Sequence, residues 1–142
     1  MQKEVMFSSA TDEWATPQDF FDKYDAVYHF NLDPACTHAN AKCEQHYTRA
    51  EDGLSKSWGG CRVWLNPPYG REIGKWVRKA YEESLKPDTT VVCLLPARTD
   101  TKWFHDYVLP AGELEFIRGR LKFGGQKNAA PFPSMVVIFT SK

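Results

Sequence analysis

Two uninterrupted apolar runs constrain this chain most: Val91-Val92-Cys93-Leu94-Leu95 and Met135-Val136-Val137-Ile138-Phe139. Neither alternates with polar residues, which is the pattern of a strand buried on both faces. Such strands need helices to cover them. Glu72–Leu85 supplies one, since Ile73, Trp76, Val77, Ala80, Tyr81 and Leu85 recur at helical spacing with the charges opposite. Thr16-Pro17-Gln18-Asp19 predicts a second helix, with Thr16 as cap, Pro17 at the first helical position and Asp19 where a capping box wants an acid. Phe20, Phe21 and Tyr24 form its apolar face. Strands are expected at Tyr28–Leu32 and Cys61–Leu65, a short helix near Ala39–His46, a helix over Lys102–Leu109, and strand-like pieces at Glu113–Arg118 and Lys122–Phe123. Helices alternating with buried strands predict an α/β fold with a central sheet parallel in its main part. Ligands in such sheets gather beyond the carboxyl ends of strands. Three expected strands end in distinctive loops, Asp33-Pro34, Asn66-Pro67-Pro68-Tyr69 and Pro96-Ala97-Arg98, which should open on one edge.

A length of 142 residues predicts a single domain, with Met1–Thr11 as a loose arm. A hydrophobic fraction of 42% with 14% aromatics excludes intrinsic disorder. The formal charge is zero, which argues at first against a nucleic-acid partner. The sum hides a division. Residues 1–60 hold 5 basic and 10 acidic side chains, net −5, and residues 61–142 hold 13 and 8, net +5. Two different partners would suit the two halves. No apolar run approaches the roughly 18–20 residues of a membrane span, and the N-terminus lacks a signal-peptide pattern. The four cysteines are therefore expected as reduced thiols in a cytoplasmic protein.

Asn66-Pro67-Pro68-Tyr69 is the most informative tetrapeptide. Two prolines stiffen the backbone and remove two amide donors. What remains is an amide oxygen, a carbonyl and an aromatic ring, a set suited to a planar base with an amino group. The tetrapeptide resembles the catalytic motif of S-adenosylmethionine-dependent amino methyltransferases. The wider chain resembles the small phage-type DNA adenine methyltransferases over roughly residues 12–140. The matching pieces are Asp12-Glu13-Trp14-Ala15-Thr16-Pro17, Leu32-Asp33-Pro34-Ala35, Asn40-Ala41-Lys42-Cys43, Asp52-Gly53-Leu54, Trp64-Leu65-Asn66-Pro67-Pro68-Tyr69-Gly70, Leu95-Pro96-Ala97-Arg98-Thr99-Asp100 and Ala130-Pro131-Phe132-Pro133-Ser134.

The resemblance implies a minimal Rossmann-like methyltransferase fold, S-adenosylmethionine as cofactor and duplex DNA as substrate, with no membrane partner and the oligomeric state open. Asn66 and the Pro67 carbonyl would accept hydrogen bonds from the amine of a flipped-out adenine, and Tyr69 would stack on the base. Pro68 completes the catalytic set. Trp14, Thr16, Pro17, Asp33, Pro34, Ala35 and Asp52 would hold the cofactor. The chain departs from the family pattern in one respect: Asp33-Pro34-Ala35-Cys36-Thr37-His38 has no Gly-x-Gly turn. Arg98, Arg118, Arg120, Lys122 and Lys127 are candidate DNA contacts, extended by Lys75, Arg78 and Lys79. With no room for a separate recognition domain, the target sequence is expected to be short or loosely defined.

Bland readings stand beside these. The tetrapeptide could be a proline turn, Asp33 and Asp52 could be turn or cap residues, and the basic stretch a solvated face. Asn-Pro-Pro-Tyr also serves enzymes acting on RNA adenine or a protein glutamine amide. Cys36, His38, Cys43 and His46 offer zinc-type ligands at a spacing unlike that of a standard finger, and would staple a non-catalytic binding module.

Overall fold

The computed structural model describes residues 14–124 and 126–141. The expected arm at Met1–Thr11, with Asp12 and Glu13, lies outside them. The described elements are α1 (Gln18–Tyr28), a 3₁₀ turn (Gly53–Ser55), β1 (Arg62–Leu65), α2 (Ile73–Ser84), β2 (Thr90–Pro96), β3 (Glu113–Phe116) and β4 (Ser134–Thr140). A helical segment over 102–111, here α3, precedes β3; a π-turn occupies its middle, Phe104–Val108. Pro110 has no N–H to give the Asp106 carbonyl, so a regular α-helical ladder cannot run through α3.

The sheet order is β1-β2-β4-β3. Only β1 and β2 are parallel; β4 runs antiparallel to both β2 and β3. The expectation of a mainly parallel sheet is thus corrected to a mixed one. Val91–Leu95 and Met135–Phe139 are buried throughout except for slight exposure at Ile138. Burial on both faces is what an uninterrupted apolar run reports, and it does not report direction. Here β3 and β4 form a hairpin across residues 117–133, which returns β4 antiparallel beside β2.

Helices cover both faces. Trp64 of β1 stacks edge-on with Phe21 of α1 at 5.5 Å and lies 5.4 Å from Phe30. Trp64 shares its face with Val92 and Ile138 by register. The opposite face carries Phe139, which meets Tyr81 of α2 at 6.2 Å. The Tyr24 hydroxyl donates to the Glu115 carboxylate and so ties α1 to the edge strand β3. Under α2, the buried Glu83 carboxylate accepts from the Trp58 amide at 2.5 Å and from Lys86 and Lys79. Burial alone would raise its pKa, but these donors outweigh burial and hold it below the ordinary glutamate value.

Four local expectations need correction. Thr16 does not cap α1; Pro17 occupies that position, and its carbonyl accepts from Phe21 N at 3.1 Å. The strand at Tyr28–Leu32 loses its start to α1, which runs through Tyr28 and ends on left-handed His29. Only Leu32 and Asp33 make bridges, with Val63 and His46. Residues 39–46 are turns and bends, not a helix, and Lys122 and Phe123 lie in no strand. In the former the Asp33 carboxylate takes the Lys42 amide and His46 bridges Asp33; in the latter the isolated Ala15–Gly124 bridge stands in place of a ladder.

Candidate active site

Beyond the carboxyl end of β1 lies a cavity of about 650 Å³. Its walls include Trp14, Thr16, Asp33, Pro34, Ala35, Asp52, Asn66, Pro67 and Pro68. Residues from four separate stretches of sequence therefore meet there. Trp76 of α2 and Leu54 add apolar surface, and Lys42, Arg49, Arg71 and Glu72 add charge.

Asn66 follows β1 directly and is held by its amide nitrogen. Nδ2 donates to the Trp14 carbonyl and to Thr16 Oγ1, the latter at 3.0 Å. A carbonyl can only accept, so the NH₂ end of the amide must face Trp14. Asn66 Oδ1 is left buried and without a hydrogen-bond partner among the described residues. A buried acceptor left unpaired costs about 1–3 kcal/mol. Asn66 belongs to the cavity wall, and an unpaired acceptor on such a residue is a candidate partner for a donor on a ligand.

Asp33 is 3% exposed. Its Oδ2 accepts from Lys42 N at 2.9 Å and its Oδ1 from Ala35 N at 3.4 Å, so the carboxylate closes the loop that the absent glycines would otherwise shape. Burial pushes its pKa up to about 6, opposed by those backbone donors, the Cys36 thiol and His46. The close backbone approach comes from another place. A Cβ at Gly53 would sit 2.1 Å from the Pro34 carbonyl oxygen, so only glycine lets the two loops touch. Asp52, just before it, is left-handed at φ 59° and stands exposed at the cavity mouth.

Comparison with known proteins adds to this geometry. The profile of the DNA N-6-adenine-methyltransferase (Dam) family matches residues 4–141. The chain belongs to this family. It is 31% identical over 150 aligned positions to the DNA N-6-adenine-methyltransferase of Haemophilus phage HP1, strain HP1c1, covering 100% of this chain and 86% of that protein. It is 34% identical over 112 positions to the enzyme of the same name from Escherichia phage T1, covering 78% of this chain and 46% of the T1 protein.

Several residues that the family resemblance singled out stand away from the cavity. Tyr69 is 4% exposed, packed edge-on against Phe123 at 6.2 Å and Phe132 at 5.7 Å. Its hydroxyl donates to the Leu94 carbonyl at 2.9 Å. It does not line the cavity, so the expected open stacking face is covered in this arrangement. Trp14 joins the same cluster, at 5.5 Å from Phe123 and 5.1 Å from Phe132. Sequence reasoning matched Phe132 to the family but gave Phe132 and Phe123 no place at the site. Their spacing to Tyr69 carries no periodic signal.

Pro17 lies on a neighbouring groove instead, with Asp19, Phe20, Lys23, Arg120, Leu121 and Lys122. Lys23 was not among the predicted contacts, because its place on α1 gave no sign that it would stand beside Arg120. Arg98, Arg118 and Lys127 are exposed and line neither hollow. Lys75, Arg78 and Lys79 pair with Glu72, Glu82 and Glu83 along α2. They therefore do not extend the basic stretch as free charges.

The four candidate zinc ligands do not converge. Among the described residues no group of three or more His, Cys, Asp or Glu side chains is placed to hold a metal. His38 Nδ1 and His46 Nε2 share a hydrogen bond at 3.0 Å. The Cys36 thiol faces the Asp33 and Tyr47 carbonyls, each at 3.6 Å. Burial pushes the Cys36 and Cys43 thiols up to about 12, so neither is a thiolate at neutral pH. All four cysteines are free.

Proposed function

We propose that this chain transfers a methyl group from S-adenosylmethionine to the exocyclic amine of adenine in duplex DNA, with the chemistry at Asn66-Pro67-Pro68 in the 650 Å³ cavity. Membership of the DNA N-6-adenine-methyltransferase family makes it a methyltransferase acting on DNA adenine. The observation that supports this site is the buried, unpartnered Asn66 Oδ1. No helix among the described residues is long and apolar enough to cross a membrane, which agrees with a partner in solution.

The cavity suits the cofactor. It is large enough for a nucleoside with an amino-acid arm, within the usual range for ligand pockets. Its apolar walls at Pro34, Leu54 and Trp76 suit a base, and the Asp33 and Asp52 carboxylates suit cations. When bound, S-adenosylmethionine supplies an electrophilic methyl on a positively charged sulfur. The chain supplies orientation and fixed dipoles.

Adenine's exocyclic amine is a poor nucleophile because its lone pair is delocalised into the ring. Asn66 Oδ1 accepts one of its N–H bonds and the Pro67 carbonyl accepts the other. Both favour the localised lone pair that attacks. These acceptors are already oriented, so little reorganisation accompanies the reaction. Pro67 and Pro68 contribute no backbone N–H that would compete for Oδ1. The base leaves the duplex to reach this edge. Contact with Tyr69 requires the half-buried Phe132 ring to move aside. Asp33, Pro34, Ala35 and Asp52 line the cofactor end, while the Thr16 hydroxyl is engaged by Asn66 and Trp64. Arg118, Arg120, Lys122 and Lys127 contact phosphates, and Arg98 stands beside Tyr69, where its charge opposes the upward push of burial on the phenol. The methyltransferase fold is read as a compact Rossmann-like version that keeps β1 and β2 parallel beneath the site.

The test is methyl transfer from labelled cofactor to duplex DNA, RNA and protein, followed by nucleoside analysis. Label recovered as N6-methyldeoxyadenosine supports the proposal; label confined to RNA or to protein overturns the DNA assignment.

A further inference from the structure

We infer that Thr16 is a positioning residue for Asn66, anchoring the amide whose orientation the Trp14 carbonyl sets. The inference rests on the proposed role of Asn66. The resemblance placed Thr16 among cofactor contacts, but its hydroxyl is engaged elsewhere. Thr16 is 6% exposed, and Oγ1 accepts from the Trp64 indole Nε1 at 3.3 Å and from Asn66 Nδ2 at 3.0 Å.

The directions of these bonds are fixed by chemistry. An indole N–H can only donate, so Oγ1 accepts from Trp64. The Trp14 carbonyl can only accept, so the Asn66 end facing it is NH₂, and the same NH₂ supplies Thr16. Both lone pairs of the hydroxyl are then occupied. Flipping the Asn66 amide would set Oδ1 against the Trp14 carbonyl and put Nδ2 in the place of the unpartnered Oδ1. An NH₂ there would meet the adenine amine donor to donor. The Trp14 carbonyl therefore selects the orientation, and the Thr16 hydroxyl, held by Trp64, fixes where the amide lies.

The anchor behind Thr16 is rigid. Trp64 is 1% exposed and wedged among Phe20, Phe21, Tyr24 and Phe30. Ala15, between the two acceptor residues, bridges Gly124, whose N–H donates to the Ala15 carbonyl at 2.8 Å. The segment that orients Asn66 is thus tied directly to the end of the basic stretch that contains Lys122.

The experiment compares Thr16→Val, Thr16→Ala and Thr16→Ser in steady-state methylation of duplex DNA, with cofactor affinity measured by calorimetry. Misplacing a catalytic group by about an ångström can cost about 100-fold. Thr16→Val is expected to lower kcat by about 10- to 100-fold while the cofactor Kd stays within about twofold. Thr16→Ser, which restores the acceptor, should recover most of the loss. Thr16→Ala carries the same expectation as Val without demanding that a second methyl fit, so a folding failure of the Val variant does not end the test. The double variant Thr16→Ala/Asn66→Ala should be no slower than Asn66→Ala alone. A raised cofactor Kd with kcat unchanged, or a Ser variant as slow as Ala, overturns the inference. If Asn66→Ala itself keeps full activity, the reading of the site fails instead, and the two failures are told apart.

Discussion

The carbonyl oxygen of Pro34 stands 2.1 Å from the point a Cβ on Gly53 would occupy. The two loops, both of which line the cavity, touch through that gap. Gly53→Ala must push them apart. Overpacking of this kind costs about 1–3 kcal/mol. A lowered melting temperature together with weakened cofactor binding is expected, read by thermal denaturation and calorimetry. A variant with unchanged Tm and unchanged affinity would show that the contact is not needed.

Asp33 gives a pH dependence with a definite sign. Its folded pKa, raised to about 6 by burial, lies above the ordinary aspartate value of 3.8. An acid raised in this way binds its proton more tightly when folded. Its ionisation therefore lowers stability as pH rises from about 4 through 6. A cationic cofactor beside it favours the ionised form. Cofactor affinity should fall as pH drops below about 6, with proton release on binding near that pH. Calorimetry in buffers of different ionisation enthalpy measures the released proton directly. Affinity that is flat between pH 5 and 7 would place the cation away from Asp33.

The strands were legible where burial alone defines them. Val91–Leu95 and Met135–Phe139 lie within β2 and β4, and Glu72–Leu85 frames α2. Direction was not legible, because a doubly buried run looks the same whichever way it points. Leu32 and Asp33 form bridges without a regular strand, since left-handed His29 and the Asp25 carboxylate turn the chain sharply just before them. Residues 39–46 are not a helix, because the Asp33 carboxylate claims the Lys42 amide and His46 bridges to Asp33.

The basic stretch predicts a salt dependence. Arg118 and Lys122 are exposed, and Arg120 and Lys122 share a groove with Lys23. Each phosphate contact removed should reduce the slope of log K against log salt by about 0.9. Lys122→Ala and Lys23→Ala are each expected to weaken DNA binding at low salt and flatten that slope, without relaxing sequence preference. Fluorescence anisotropy with a labelled duplex across a salt series reads both. A slope equal to that of the unmodified protein would move these charges off the DNA.

The cysteines give a chemical prediction. Burial holds Cys36 and Cys43 near 12 and pushes Cys93 further still. All three should resist iodoacetamide at pH 7.5, and methyl transfer should survive the treatment. Rapid modification at Cys36, read by mass spectrometry, would contradict the packing of its loop.

Much of the site was legible as a set of separate motifs, because Asn66-Pro67-Pro68, Asp33-Pro34-Ala35 and Asp52 do meet in one cavity. What joins them was not. The Thr16 hydroxyl faces Asn66 across fifty residues of sequence, and Tyr69 turns into an aromatic cluster built from Phe123 and Phe132. Such contacts depend on how the loops cross above the sheet, and no local pattern encodes that crossing.

The central claim is that the unpartnered Asn66 Oδ1 directs the adenine amine, and Asn66→Ala tests it most directly. Single-turnover methylation of duplex DNA, with products resolved as N6-methyldeoxyadenosine, should slow by at least about 100-fold, the loss typical of one pre-aimed polar group. Cofactor affinity should hold within about twofold. Single-turnover rates equal to those of the unmodified protein would contradict the account.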